Sequence, residues 1–314
     1  MPSWMVSSIP LGEPGRIQLK REGTKRMKRS IPILAACLAA AAAVAQVATK
    51  KTVVDGRGVV RASDVTWGAL NPARGAKGPR AGGLWNDRTA DQASGFLVRF
   101  ADGFASPPHI HNVTYRGVVI SGLIHNDDPD AAEMWMPAGS FWTQPAGEVH
   151  ITAAKGESAM AYIEIDSGPY LVQPKDEAFD KGERPVNVVP SNLVWLSPSE
   201  TGWIAPDLAD AGGESPQLAF LWGKPGPASR SGSFLRLPKG FEGEIRSGSG
   251  SLRIVVVKGE IQCADSDGDE LVALAPGEYF SVAKEDLARI SCESAEGCVA
   301  YIQAEGGFVI SAPK

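Results

Sequence analysis

The chain has 314 residues, 43% of them hydrophobic and 21% charged, with a formal net charge of −5. That length is enough for two ordinary domain cores. The mildly acidic balance, with no basic patch interleaved with aromatics, excludes a nucleic-acid partner.

At the N-terminus a basic segment, Lys20 to Arg29, precedes an apolar run from Ile31 to Ala45 that ends Ala43-Val44-Ala45 before Gln46. This is the layout of a secretory signal peptide, residues 1–45, cleaved after Ala45. The run is shorter than the roughly 18 residues of a membrane span, so no stable span is expected. Two variants stay open. Leu34-Ala35-Ala36-Cys37 is similar to a lipobox, which would place a lipid on Cys37, and Met27-Lys28-Arg29 stands directly before the run, where translation of a compact signal peptide would start. Cleavage removes seven basic and two acidic side chains, leaving 24 against 34 and a net charge near −10. The expected location is periplasmic or secreted.

Residues 46–83, with Gly and Pro throughout Asn71 to Gly83, are expected to form an N-terminal arm over the first domain. Beyond them, β-branched and aromatic runs such as Phe96 to Phe100, Tyr115 to Ile120, Ile254 to Val257 and Tyr279 to Val282 are separated by Gly, Pro, Asp and Asn. Strands joined by turns follow, with little helix. Met160 to Ile165 alternates as a strand with one face inward does.

Three of the four histidines fall in two glycine-framed strings, Gly103-x5-His109-x-His111-x3-Tyr115-x6-Gly122 and Gly139-x5-Pro145-x-Gly147-x2-His150. On a strand His109 and His111 leave the same face, and the Pro-x-Gly turn returns a second strand carrying His150 towards them. These strings closely resemble the two motifs of the cupin superfamily, G-x5-H-x-H-x3/4-E-x6-G and G-x5-P-x-G-x2-H-x3-N. The resemblance implies a jelly-roll (double-stranded β-helix) barrel in which His109, His111 and His150 hold one divalent transition metal. Tyr115 replaces the usual glutamate and Ala154 the usual asparagine. A phenol with a reference pKa of about 10 needs strong help to ionise, so Tyr115 reads as pocket wall before it reads as a phenolate ligand. Three neutral imidazoles leave open positions, which suit iron(II) first and zinc(II) next, with manganese, copper and nickel also compatible.

A shift of 137 residues lays Leu84-Trp85 on Leu221-Trp222, Arg99 on Arg236, Gly103-Phe104 on Gly240-Phe241 and Gly122 on Gly259. With two further single-residue gaps, Ala161-Tyr162-Ile163 falls on Ala300-Tyr301-Ile302. Duplication is the simplest cause. The expected architecture is all-β, two tandem cupin jelly-roll barrels: a metal-binding barrel at 84–170, a linker at 171–191, and a second barrel at 192–314. In the second barrel the ligand positions become Arg246, Gly248, Leu252 and Ala288, so it is expected to act as a scaffold, a packing partner or a homodimerisation surface. Cys292 and Cys298 flank a hairpin-like Glu-Ser-Ala-Glu-Gly, which an exported chain could bridge, leaving Cys263 as an odd thiol.

Around the first site, Gln144 is placed either to donate to an oxygen at the metal or to satisfy turn backbone. His125 reads as a partly exposed histidine bonded to neighbouring Asp or Asn, and Arg99, shared with the ligand-free half as Arg236, as a structural ion-pair residue. The chain is similar to tandem cupins of unknown function, to the cupin half of zinc-binding anti-sigma factors and to acetylacetone-cleaving, three-histidine iron dioxygenases. That resemblance implies an exported non-haem iron dioxygenase acting on a small chelating carbonyl or carboxylate compound, with Tyr115 and Gln144 steering oxygen. The alternative is a non-catalytic metal or small-ligand binding or sensor protein.

Overall fold

Strands account for nearly all the regular structure of the computed structural model, which describes residues 52–54, 57–209, 214–265 and 271–313. The expected signal peptide, with Met27 and Cys37, lies outside the described residues. Among those residues the helices are short 3-10 segments of three to six residues, and none is long and apolar enough to cross a membrane. The fold is therefore mostly β, as the strand runs predict.

The sheets divide along the sequence repeat. In the first half, Val186–Val188, Phe141–Gln144, Tyr115–Asp127, Ile151–Ile165, Ser94–Arg99, Arg80–Trp85 and Trp67–Ala69 lie side by side in that order, and Met136–Pro137 also pairs with Tyr115–Asp127. His109–His111 pairs separately with Val172–Pro174. In the second half, one sheet runs Thr52–Val54, Arg57–Val60, Tyr279–Val282, Leu252–Lys258, Cys298–Glu305, Arg230–Leu237, Gln217–Gly223. The other runs Val272–Leu274, Ile261–Asp265, Leu287–Cys292, Phe241–Ser247, Phe308–Ser311. The ladders are antiparallel, which lets short turns join neighbours.

Both connecting segments are drawn into these sheets. The arm contributes Arg57–Val60 to the second half and Trp67–Ala69 to the first, while the stretch at 171–191 supplies Val172–Pro174 and Val186–Val188 to the first half. Exposed strand edges carry unmet N–H and C=O groups, and chain of any composition can satisfy them.

The repeat reappears in side-chain detail. Trp85 Nε1 donates to Tyr162 Oη at 3.0 Å, and Trp222 Nε1 donates to Tyr301 Oη at 2.8 Å. Each indole lies against a glycine, Gly95 or Gly232, where a Cβ would run into the ring. The halves share a core that includes Leu97, Val118, Ile120 and Tyr162 from one and Phe234, Val255, Tyr279 and Tyr301 from the other. Two stacked cations cross this boundary: Arg116 lies 3.6 Å from the Trp222 ring centroid and Arg253 lies 4.3 Å from that of Trp85. Between them is Glu164, buried, accepting hydrogen bonds from Tyr301 Oη at 2.7 Å and Tyr162 Oη at 3.2 Å. A Cys292–Cys298 disulfide closes the predicted hairpin, and buried Cys263 stays outside it.

Candidate metal centre

The backbone sets His109 and His150 opposite each other. His109 N donates to His150 O and His150 N to His109 O, both at 3.0 Å, while Gly147 N donates to His111 O at 2.8 Å. Gly147 has φ +78°, and a Cβ there would strike the backbone of Phe179, so the turn that delivers His150 needs glycine. Ring centroids are 5.0 Å apart for His109 and His111, 4.3 Å for His109 and His150, and 5.2 Å for His111 and His150. One nitrogen from each ring lies within 4.8 Å of the other two. Among the described residues this is the one such cluster of potential metal ligands.

Which nitrogen faces inward follows from the outer bonds. His109 Nδ1 meets Pro107 O at 3.0 Å, His111 Nδ1 meets Leu171 O at 2.8 Å, and His150 Nδ1 meets Glu148 O at 3.2 Å. A carbonyl only accepts, so each Nδ1 carries the proton and each Nε2 keeps a lone pair. Burial then disfavours the imidazolium. It lowers the His109 pKa, with the Pro107 bond opposing and the Arg74 charge assisting. Burial and the neighbouring His150 and His109 hold His111 well below its ordinary range, and burial with His109 takes His150 down to about 3. Three neutral, oriented donors fit a divalent transition metal, and the outer carbonyls fix the rings as ligand-supporting groups do.

Tyr115 stands where the family motif has glutamate, its Oη 3.4 Å from His150 Nε2. Burial raises the phenol further above its ordinary value, so it is a proton donor here, and it donates to Asn126 Oδ1 at 2.9 Å. Asn126 also accepts from Thr152 Oγ1 at 2.8 Å and donates to Gln144 Oε1 at 3.0 Å. Gln144 Nε2 in turn donates to Glu148 O at 3.2 Å, in the turn before His150. Gln144 thus meets Tyr115 through Asn126 and satisfies turn backbone.

Sequence reasoning passes over Tyr170. Its ring stacks on His111 at 4.4 Å between centroids, and its Oη lies 3.2 Å from His111 Nε2. Asn112 anchors that segment, donating to Pro169 O and accepting from Leu171 N, both at 2.9 Å. The adjacent Asn112 was the available signal, and it carries no motif. The histidines border a cavity of about 50 Å³, with Leu70, Val98, Phe100, Phe104, Trp142 and Ile163 as apolar wall and Arg74 at its side. No carboxylate is among the lining residues.

The remaining candidates sit elsewhere. His125 is buried, with Nδ1 3.2 Å from Met134 O and its ring 5.8 Å from Trp135. Arg99 lies over Trp67 and Arg236 over Trp195, each 3.9 Å from the ring centroid, so their shared role is stacking. In the second half Leu252 and Ala288, at the positions matching Tyr115 and His150, are core residues, whereas Arg246, matching His109, is exposed.

A family model described as a domain of unknown function, DUF4437, matches residues 58–311. Comparison with curated proteins gives no match. Among solved structures, a candidate dioxygenase from Nostoc punctiforme PCC 73102 has a TM-score of 0.57 at 15% identity, covering 80% of this chain and 83% of its own. Protein YlbA from E. coli has a TM-score of 0.55 at 12% identity, covering 81% and 93%. Lactobacillus farciminis oxalate decarboxylase, in a formate complex, has a TM-score of 0.52 at 11% identity, covering 82% and 89%. At these identities the likeness concerns the fold, which is of the cupin type.

Proposed function

The chain belongs to the DUF4437 family, and from that premise we propose that it is an exported bicupin metalloenzyme, a non-haem iron dioxygenase of small chelating carbonyl or carboxylate compounds. The observation that carries the reading is the convergence of three neutral Nε2 lone pairs whose Nδ1 protons are committed to carbonyls. His109, His111 and His150 would hold the metal, iron(II) before zinc(II). Such an ion supplies Lewis acidity and, as iron, electron exchange with dioxygen.

The protein's own groups do the rest. Tyr170 stays protonated and can donate to an anionic oxygen beside the histidines, while the Tyr115 proton is held by Asn126 Oδ1. Asn126, held by Thr152 and Gln144, keeps the Tyr115 hydroxyl in place. Apolar walls exclude water and strengthen these hydrogen bonds. The paired Trp–Tyr bonds and the 137-residue repeat support two tandem barrels, the second a scaffold. The disulfide and the N-terminal layout support export. Because the halves already cover each other within one chain, a homodimer would use another face. One observation favours a binding or sensor protein instead: no carboxylate lines the cavity to shuttle protons.

The test is to purify the mature chain without chelators and quantify its metals, alongside His109→Ala and His150→Ala. About one equivalent of iron, lost in both variants, supports the oxygenase and directs a screen of chelating substrates for oxygen uptake. Stoichiometric zinc moves the reading to hydrolysis, isomerisation or sensing, and absence of metal overturns it.

A further inference from the structure

The cavity beside the histidines has a charge imbalance. Its polar lining consists of imidazole, phenol, hydroxyl and amide side chains and one guanidinium, Arg74. A metal would add two more positive charges, and no lining residue supplies a negative one. Among the described residues Arg74 has no carboxylate within ion-pairing distance; the Phe104 ring lies 5.9 Å from centroid to guanidinium carbon. Arg74, a partly buried residue on the cavity wall, is the one cation there and can form a charge-assisted hydrogen bond to an anion.

Arg74 is also held in place. It sits in the 3-10 segment Pro72–Lys77, on the loop joining Trp67–Ala69 to Arg80–Trp85, and these strands pair in register from Trp67 with Gly82 to Ala69 with Arg80. Leu70 N donates to Pro79 O at 2.8 Å across the loop base, and Asn71 Oδ1 accepts from Ala73 N at 3.0 Å at the start of the segment. The loop thus presents Leu70, Arg74 and Pro79 to the cavity from the end of a paired hairpin.

We propose that this loop is the specificity element of the site, and that Arg74 receives the anionic group of a small substrate whose body is apolar, a short branched aliphatic monocarboxylate. The proposal rests on the cavity being the substrate site and deepens that reading. Apolar walls from Val98, Phe104 and Ile163 take the body, and the guanidinium takes the charge. A neutral molecule of the same shape leaves the guanidinium unpaired, and a small hydrophilic acid leaves the walls wet.

The probes are isobutyrate and its neutral isostere isobutyramide, titrated calorimetrically into mature protein, both metal-stripped and zinc-loaded. Wild-type protein should prefer the acid in both forms. Arg74→Met, which keeps the side chain's bulk, should weaken the acid about tenfold or more and change the amide less than twofold. Arg74→Lys should restore part of the preference. Equal affinity for acid and amide in wild type, no binding of either, or parallel weakening of both in Arg74→Met would overturn the proposal. Melting temperatures of the variants guard against misfolding. An acid preference in the metal-stripped form that Arg74→Met abolishes upholds the loop's role even if the purified protein proves to carry no metal.

Discussion

Replacing Glu164 by Gln should flatten the pH dependence of stability between the weakly acidic and neutral range. The carboxylate is 2% exposed in the core shared by the two halves. Burial is the largest influence and raises its pKa from the ordinary 4.5 to about 7, against the opposing effects of Arg116 at 3.8 Å and the two tyrosine hydroxyls. The folded chain therefore holds this proton more tightly than the unfolded chain does. Below about 4.5 both states are protonated and the folded state keeps the full benefit. As pH rises, the unfolded chain ionises first, and stability falls until the folded carboxylate also ionises near 7. At about 1.4 kcal/mol per pH unit, that interval corresponds to roughly 3 kcal/mol. Glutamine cannot ionise, and the second half already uses one at the equivalent position, Gln303, which accepts from Arg253 Nη1 at 2.7 Å. Guanidinium unfolding of both proteins at pH 5, 6, 7 and 8 gives the difference directly and cancels other titrating groups. The variant should gain on wild type by roughly 2 to 3 kcal/mol between pH 5 and 8. A difference independent of pH would mean that Glu164 is ionised throughout and that desolvation does not govern it.

Three further outcomes follow from the site and the repeat. Adding zinc at a hundredfold excess over its Kd should stabilise the metal-stripped protein by about 2.7 kcal/mol, seen as a raised Tm that His111→Ala abolishes. Tyr115→Phe should leave metal stoichiometry at the wild-type value by elemental analysis, whereas Asn126→Ala, which strands buried partners, should cost about 1 to 3 kcal/mol in chemical denaturation. Gly232→Ala drives a methyl into the Trp222 indole and should cost about 1 to 3 kcal/mol, with a change in tryptophan fluorescence.

The ligand trio was legible because strand periodicity and a Pro-x-Gly turn fix its geometry within short spans of chain. The repeat was legible for the same reason, since Trp85 and Trp222 or Gly122 and Gly259 keep their spacing while neighbours change. Tyr170 was not, because its approach to His111 comes from a return of the chain some 59 residues later. The role of Gln144 stayed open between two partners, since nothing in its spacing shows Asn126 turned towards it. The stretch at 171–191 looked like linker because composition describes water-facing side chains, whereas Val172–Pro174 and Val186–Val188 are recruited through backbone hydrogen bonds that composition does not record. Glu164 sat inside an alternating run whose inward face was evident, but only the second half's Tyr301 shows why a carboxylate is tolerated there.

The exchange of cations across the boundary between the halves bears on how such a chain can change over generations. Arg116 lies on an indole of the second half and Arg253 on one of the first, so removing either half uncovers a guanidinium face and bares the apolar core behind it, while each arginine keeps its own ion pair, to Asp166 or to Glu305. The second half, with no histidine at the matching positions, still serves the first through the side chains that cover it.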